Sequence, residues 1–338
     1  MTDPRQDTSP SSSTAPVVDQ STFDGLPPRP VWSSKTPDTP WCPEEWHAHL
    51  EAVVPSWTRA VAASHADALE VTMASLKRAP WSGVAVSRRG RLHAHRGDFR
   101  EDAITLRTHA TGWCAAVADG AGSSAWSRVG SAVATHTFCT VFAESMGSPE
   151  TRAHAASLAV FDTMRALATR VDLPPRALRT TLLAVAIDGD ELITVQVGDG
   201  GIVLVDTDGS IRAPQLGDSG EFSGDVTHFL PDDGTGERLA ASLHVTRADG
   251  VRAVLLASDG IEDPWYPLPR HAPMLVQSLE HGVADTTAAA IAAATDVIVT
   301  SRGPVAEANV PVSALAEWMT FEKRGENDDR SLLFARRQ

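Results

Sequence analysis

The chain has 338 residues, of which 42% are apolar and 21% are charged, a balance typical of a globular protein. Its formal net charge of −14 is not offset by a basic patch, which argues against a protein that binds the phosphate backbone of nucleic acids. No run of about 18 uncharged apolar residues occurs, so we expect no membrane-spanning helix. The N-terminus lacks the basic start and apolar run of a secretory signal, which indicates a cytoplasmic protein.

The first 78 residues divide into a polar tail and a helical segment. Residues 1–40 are rich in Ser, Thr, Pro and Asp and show no apolar periodicity, so we predict a disordered tail. In residues 41–78, apolar side chains such as Trp46, Leu50 and Trp57 recur at three- and four-residue steps, which predicts a helical extension. Because this apolar stripe has to be buried, we expect the extension to pack on the following domain or on a partner.

From residue 79 onward the sequence predicts strands in clusters, separated by helices. The predicted strands cover residues 113–118, 182–187, 192–197, 202–205, 253–258 and 331–335. The predicted helices cover about residues 124–146, 150–170, 284–300 and 311–320. Asp188-Gly189 is a typical hairpin turn. Strands that cluster, rather than alternate with helices, favour packed antiparallel sheets flanked by helices over a doubly wound parallel sheet.

The three cysteines of the chain show no pattern of a functional site. Cys42, Cys114 and Cys139 form no CxxC pair and have no regular spacing. The last two lie in apolar segments, so we expect them to be small core residues and not disulfide partners or metal ligands.

Four acidic clusters are candidates for a metal site. They are Glu101-Asp102, Asp119-Gly120, Asp259-Gly260 with Asp263, and Asp328-Asp329. Two of them end an apolar strand with Asp-Gly, in WCAAVADG and AVLLASDG. A single Asp-Gly is first of all a turn signal. Four clusters together favour a site for hard divalent cations, which take oxygen ligands and, as a pair, can activate a bridging water for attack on phosphorus.

Beyond these clusters, the chain resembles the metal-dependent protein phosphatases of the 2C type, especially their compact bacterial branch, from about residue 81 to residue 336. The motifs that carry the resemblance are GRLHAHRGDFREDA, VADGAGSSAWSRVGSAVA, TTLLAVAI with VQVGDGGIVLV, SGEFSGDVTHFL, LLASDGIEDP and ENDDRSLLFARR. Each motif is modest alone, whereas six in this order are specific. The resemblance implies an α+β fold, a four-layer α/β/β/α sandwich of two antiparallel sheets flanked by helices, with the phosphatase domain at residues 79–338.

The resemblance also implies the activity. A relative of this kind is a serine/threonine protein phosphatase that uses two Mg²⁺ or Mn²⁺ ions. It hydrolyses phosphoserine and phosphothreonine in phosphorylated protein substrates by direct attack of a hydroxide that bridges the metals. A Ser/Thr kinase, or the targets of that kinase, would then be functional partners, and neither nucleic acid nor membrane would be bound.

Carried onto this sequence, the resemblance implies metal ligands at Glu101, Asp102, Asp119, Gly120, Asp259 and Asp328. Asp119 would bridge both cations, and the carbonyl of Gly120 would bind one of them. Glu101 or Asp102 would serve one metal, directly or through water, and Asp259 with Asp328 would complete the other side. Asp263 would orient a water on a metal or be structural.

The chain departs from the family pattern at the position of a phosphate-binding arginine. Gly97 occupies the position four residues before Glu101 where many relatives carry that arginine, while Arg96 and Arg100 lie nearby. We assign the phosphate contact to Arg96, because a guanidinium matches phosphate oxygens well. The alternative is that both arginines are solvated loop residues.

Two further departures concern proton transfer and the last motif. Ala121 stands where some relatives carry a histidine proposed as general acid, so the leaving group would be protonated by a water on a metal, by His93 or by His95. Of these we place His93, with Asp119 and Arg96, among the catalytic residues. Asp329 stands where Asn is usual.

Other functions are weaker interpretations of the same sequence. A non-catalytic phospho-binding regulatory module of the same fold and a hydrolase of small phosphoesters are the main alternatives. His93 and His95 would share a face if they lay on a strand, but no second ligand pair is spaced for zinc. The segment Gly217-Asp218-Ser219-Gly220 resembles a serine-protease nucleophile, yet no matching upstream histidine motif occurs.

Overall fold

A computed structural model describes most of the chain. The described residues are 34–214, 228–265, 268, 270–277, 279, 298–302, 315–316, 318–321 and 326–338. Several predicted features lie outside them. These are residues 1–33 of the predicted tail, nearly all of the predicted helix at 284–300, much of that at 311–320, and the protease-like segment with most of the SGEFSGDVTHFL motif.

Among the described residues, seven strands form the larger of two antiparallel sheets. They are β1 Val71–Arg78, β2 Trp81–Arg88, β7 Gly201–Asp206, β8 Ile211–Arg212, β10 Val251–Ala257, β11 Ile298–Arg302 and β12 Arg330–Arg337. Their order in the sheet is β11-β1-β2-β12-β10-β7-β8. The inner strands β2 and β10 are buried almost throughout, because protein covers both faces of the sheet, and their sequences are therefore apolar without strict alternation.

Five strands form the smaller sheet. They are β3 Ala103–His109, β4 Gly112–Ala118, β5 Leu182–Asp188, β6 Glu191–Val197 and β9 His244–Arg247, in the order β3-β4-β5-β6-β9. The predicted hairpin joins β5 to β6, where Gly189 has a φ of +56°, a left-handed conformation that glycine adopts without strain.

Helices cover the outer faces of the sheets. The described helices with assigned bounds are α1 His47–Val53, α2 Arg59–Asp67, α3 Arg91–Arg96, α4 Ser127–Glu144, α5 Pro149–Arg170, α6 Thr235–Ala241 and α7 Asp259–Glu262. Within the described part of the chain, no helix is both long enough and apolar enough to cross a membrane.

Within the part of the chain that the structure describes, three apolar clusters hold the layers together. Phe138 of α4 and Leu167 of α5 belong to the cluster on the outer face of the smaller sheet. Trp113 and Leu256, from opposite sheets, belong to the cluster between them. Leu275 lies in the cluster on the outer face of the larger sheet. The predicted four-layer α/β/β/α sandwich is therefore confirmed.

The N-terminal extension differs from the sequence prediction in two ways. Trp46, Leu50 and Trp57 are buried in the same cluster as α4 and α5, so the helical part packs on the sandwich. The helix predicted up to residue 78 is wrong beyond α2, because Val71–Arg78 form strand β1 between β2 and β11. A domain boundary at residue 79 would divide a hairpin; instead, Ser34–Gln338 form one compact unit.

All three cysteines are free and buried. Burial raises the pKa of the Cys42 thiol to about 12. The pKa of the Cys139 thiol is raised as well, first by burial and then by the neighbouring Cys114. Thiols in such surroundings stay protonated and are poor nucleophiles.

Candidate metal centre

The acidic clusters of the sequence meet at one end of the sandwich. Asp119 follows the last residue of β4, and Glu101-Asp102 precedes the first residue of the adjacent antiparallel strand β3. On the other sheet, Asp259 lies just after β10, and Asp328 lies just before its neighbour β12. Antiparallel pairing thus brings the end of one strand and the start of the next to the same edge in both sheets.

The main chain around Asp119 is fixed by two threonines that precede β5. The Asp119 carbonyl oxygen accepts hydrogen bonds from Thr180 Oγ1 at 2.7 Å and from the Thr181 amide at 2.8 Å. The Asp119 amide donates to Thr181 Oγ1 at 3.0 Å. Gly120 follows in a position without room for a side chain, since a Cβ there would lie 2.8 Å from the Glu101 carbonyl oxygen. The turn that carries Asp119 and Gly120 is therefore held rigidly.

The carboxyl groups lie close enough to perturb one another. Burial, followed by the charges of Asp259 and Asp102, raises the pKa of Asp119 well above its ordinary value. Burial, followed by the charges of Asp199 and Asp328, does the same for Asp259. Burial also raises the pKa of Asp102 to about 7, with a smaller contribution from neighbouring carboxylates. Bringing this much like charge together is unfavourable unless a cation is present.

Glu101 and Asp102 have oxygen atoms that suit a cation. Asp102 Oδ2 accepts a hydrogen bond from Ser258 Oγ at 2.9 Å, and its carboxyl group lies next to that of Asp119. Among the described residues, no donor reaches the buried atoms Asp102 Oδ1 and Glu101 Oε2. Burial raises the pKa of Glu101 to about 7. Buried carboxylate oxygens without donors are the atoms that Mg²⁺ or Mn²⁺ would bind, so the residues present fit such ions.

Asp328 and Asp263 flank this cluster. Asp328 is partly exposed and accepts a hydrogen bond from the Asp329 amide at 2.8 Å. Burial and the neighbouring Asp329 raise the pKa of Asp328. Asp263 is partly buried, and its charge contributes to the raised pKa of Asp259. Both residues therefore lie close to the candidate ligands.

His93 lies on the buried side of α3, at the edge of the cluster. Its Nδ1 is 2.9 Å from Asp329 Oδ1, and its Nε2 is 3.8 Å from Glu101 Oε2. Burial alone would lower the pKa of His93, but the hydrogen bond and charge of Asp329 and the charge of Glu101 raise it to about 9. In the absence of metal the imidazole is therefore cationic at neutral pH.

The zinc alternative does not agree with the position of the two histidines. His93 and His95 lie on helix α3 and not on a strand, so their side chains point about 200° apart around the helix. His93 is buried, whereas His95 is exposed. The two rings therefore do not share a face.

The two candidate arginines have different surroundings. Arg100 is buried, and its guanidinium donates to Thr72 Oγ1 and to the carbonyl oxygens of Asp102, Ala68 and Ser87. It joins the start of β3 to β1 and β2 and is not available to a phosphate group. Arg96 ends α3 and is exposed, and Gly97 next to it has a φ of +87°, which turns the chain inward towards Arg100.

The N-terminal segment contacts elements beside the carboxylate cluster. The Lys35 amide donates to the Ala94 carbonyl oxygen in α3 at 2.9 Å. Arg128, in the first turn of α4, donates to the Trp41 carbonyl oxygen at 2.7 Å and contributes charge near Glu101. Residues 35–41 therefore lie beside α3 and the first turn of α4.

Sequence reasoning missed the roles of several residues that shape the site. They are Thr180, Thr181, Asp199, Ser258 and Asp329. A signal for Asp199 was present, because VQVGDG is a third apolar strand followed by Asp-Gly. The roles of Ser258 and Asp329 depend on contacts with residues 156 and 228 positions away, which no local pattern reveals.

Comparison with known proteins agrees with this architecture. The family model described as Protein phosphatase 2C matches residues 89–295, more than half of the chain. No curated protein matches the sequence. Among solved structures, a bacterial serine phosphatase that bears a single substitution has a TM-score of 0.52 and 15% identity, covering 75% of this chain and 96% of that one.

Two further solved structures share the fold. Serine/threonine phosphatase Stp1 from Staphylococcus aureus has a TM-score of 0.51 and 15% identity, covering 75% of this chain and 94% of that one. The S. agalactiae serine/threonine phosphatase has a TM-score of 0.50 and 14% identity, covering 79% of this chain and 100% of that one. Identities this low show the fold alone, whereas the family match covers the segments that carry most of the carboxylate cluster. The chain therefore belongs to the protein phosphatase 2C family.

Proposed function

We propose that this protein is a metal-dependent serine/threonine protein phosphatase, which hydrolyses phosphoserine and phosphothreonine in protein substrates. The observation that carries the proposal is the carboxylate cluster formed by Asp102, Asp119 and Asp259 of both sheets. Burial, followed by repulsion from neighbouring carboxylates, raises the pKa of all three groups, so the cluster is costly without cations. In a member of the protein phosphatase 2C family, such a cluster is best explained as a metal centre for phosphate hydrolysis.

The cofactors that we propose are two Mg²⁺ or Mn²⁺ ions. The residues that would hold them are Glu101, Asp102, Asp119, Gly120 through its carbonyl oxygen, Asp259 and Asp328. When bound, the ions would supply an activated water and balance the negative charge of the phosphoryl group. Asp263 would orient water at their edge.

Two side chains outside the ligand set have assigned roles in this proposal. Arg96 is exposed at the end of α3 and would bind the phosphate oxygens of the substrate. His93 would donate a proton to the serine or threonine oxygen as the phosphorus–oxygen bond breaks. The cationic state of His93 and its position beside Glu101 support this role. The alternative donor, His95, is exposed and is therefore a weaker candidate.

Phosphate release from matched phosphopeptides tests the proposal. Peptides that carry phosphoserine, phosphothreonine or phosphotyrosine at the same position would be compared with Mn²⁺, with Mg²⁺ and with EDTA. We expect release from the first two peptides with either metal and none with EDTA. Full activity in a rigorously metal-free sample would refute metal dependence, and activity restricted to small phosphoesters would refute the protein substrate.

A kinase that phosphorylates the same substrates is the functional partner that we propose.

A further inference from the structure

The side chain of Asp329 receives two backbone hydrogen bonds and forms one ion-pair contact with a histidine nitrogen, all from groups around the candidate metal centre. Its Oδ1 accepts from the Gly90 amide at 2.5 Å and lies 2.9 Å from His93 Nδ1. Its Oδ2 accepts from the Glu101 amide at 2.6 Å. Only 1% of its surface is exposed, so water does not substitute for any of these contacts.

These three contacts require a carboxylate. All three partners are N–H donors, and an ionised carboxylate has only acceptor atoms. In the isosteric amide, one oxygen is replaced by an NH₂ group. That NH₂ would face either the Glu101 amide or the pair formed by Gly90 and His93, donor against donor. Asparagine at position 329 therefore cannot satisfy the surroundings that this chain provides.

The contact with Asp329 determines which nitrogen of His93 reaches the cluster. Because Nδ1 is engaged, Nε2 is the ring nitrogen left for the site, and it lies 3.8 Å from Glu101 Oε2. A ring rotated by half a turn would lose the 2.9 Å contact between Nδ1 and a buried carboxylate, which is unfavourable.

Asp329 also joins two segments that carry candidate ligands. It follows Asp328 directly in the chain, and it holds Glu101 through the Glu101 amide. Helix α3 begins next to the same segment, since a Cβ on Gly90 would lie 2.3 Å from the carbonyl carbon of Asp328. One side chain thus fixes α3, the start of β12 and the residue that precedes Asp102.

We infer that Asp329 is a positioning residue, which holds His93 so that Nε2 faces the bound phosphoryl ester. The inference rests on the proposed function, because it assigns to Asp329 the orientation of the group that protonates the leaving oxygen. Although His93, Asp328 and Asp329 lie close enough to share a cation, both oxygens of Asp329 already accept hydrogen bonds. Asp329 therefore acts through His93 and Glu101.

A double-mutant cycle in the full-length protein with Mn²⁺ tests the inference. Asp329→Asn removes the all-acceptor carboxylate. His93→Asn retains an amide N–H near the position of Nδ1 for Asp329 but has no counterpart of Nε2. Because proton donation to the leaving group contributes only in the transition state, we expect each variant to lower kcat at least about tenfold and to change KM by less than about threefold. The double variant should lose no more than about threefold beyond either single variant, since both remove the same contribution.

Asp188→Asn is the matched control. Like Asp329, Asp188 is a buried carboxylate. It binds Arg152 and lies at the opposite end of β5 from the metal centre. We expect this variant to have a lower melting temperature and an unchanged kcat. Near-native kcat in a folded Asp329→Asn, or independent losses in the double variant, would overturn the inference.

Two outcomes need a separate readout. If Asp329→Asn does not fold, His93→Asn decides alone, because it leaves Asp329 and both of its backbone hydrogen bonds intact; native kcat in that variant would overturn the inference. If the unsubstituted protein has no phosphatase activity, the proposed function is refuted instead. The positioning role is then tested by the nitrogen-15 NMR signal of His93 Nδ1, which is assigned by its loss in His93→Asn. This signal should shift in Asp329→Asn, and an unchanged signal would refute the positioning role.

Discussion

Replacing Asp102 by asparagine should stabilise the metal-free protein, although it removes a candidate ligand. Burial, assisted by the charges of Asp329 and Asp328, raises the pKa of Asp102 from 3.8 to about 7. Asparagine carries no charge, retains a carbonyl oxygen for the Ser258 hydroxyl, and can donate to the neighbouring carboxylate of Asp119. The substitution therefore removes an unfavourable charge without removing the hydrogen bond to Ser258.

The size and sign of the effect follow from the raised pKa. Between pH about 4 and about 7 the folded protein binds a proton at Asp102 that the unfolded chain releases, so stability falls as the pH rises through this window. At about 1.4 kcal/mol per pKa unit, the charge costs on the order of 1–4 kcal/mol at pH 8. For a chain of this length, that corresponds to a melting temperature higher by roughly 2–6 °C for Asp102→Asn in EDTA.

Thermal unfolding under three conditions measures the effect. In EDTA at pH 8 the variant should melt above the native protein. At pH 5 the difference should be much smaller, because only the first part of the window that starts at about pH 4 has been crossed. With Mn²⁺ at pH 8 the order should reverse, since the cation stabilises the native site more strongly. Asp188→Asn is the control, because it breaks the ion pair with Arg152 and should lower the melting temperature in all three conditions. If Asp102→Asn melted below the native protein in EDTA at pH 8, the reasoning would be refuted.

Three further predictions concern catalysis and the N-terminal segment. Asp119→Asn should reduce turnover, measured by phosphate release, by at least about a hundredfold, while circular dichroism should show that the protein stays folded. Near-native turnover would mean that Asp119 only shapes the backbone turn after β4. Arg96→Ala should raise KM for a phosphopeptide more than it lowers kcat. Arg100→Ala should unfold or strongly destabilise the protein, because the buried acceptors of Arg100 lose their donor. A soluble, inactive Arg100→Ala with a native melting temperature would contradict the assignment of the phosphate contact to Arg96. Deleting residues 1–33 should leave the melting temperature and activity unchanged. Deleting residues 1–57 should lower both, since each large apolar side chain removed from the core contributes roughly 1.5–3 kcal/mol. Equal melting temperatures for the two deletions would show that the extension does not stabilise the sandwich.

The sequence revealed the elements whose signals are local. Strands β4 and β10 are apolar runs that end in Asp-Gly, so both their bounds and the carboxylates Asp119 and Asp259 were predictable from a few neighbouring residues. The hairpin after β5 was visible for the same reason. In each case a short segment contains both the strand and the residue that ends it.

Features that depend on distant contacts were not predictable in this way. Strands β1 and β2 are covered on both faces, and their mixed sequences lack the alternation that identifies a half-buried strand. Arg96 and Arg100 looked equivalent in the sequence, because only the folded chain shows that Arg100 points into the protein. The partners of Asp329 are more than 200 positions away, so no window along the chain contains them.

The buried thiols have a practical consequence for work on this protein. Phosphatases that depend on a nucleophilic cysteine lose activity to peroxide and to alkylating reagents, because their thiolates are exposed and reactive. Here Cys42, Cys114 and Cys139 are enclosed in protein, so the native fold protects them from such reagents. Treatment with iodoacetamide should distinguish this protein from a contaminating thiol-dependent phosphatase in the same preparation. A single cysteine introduced on the surface could then carry a fluorescent label without removal of the native three.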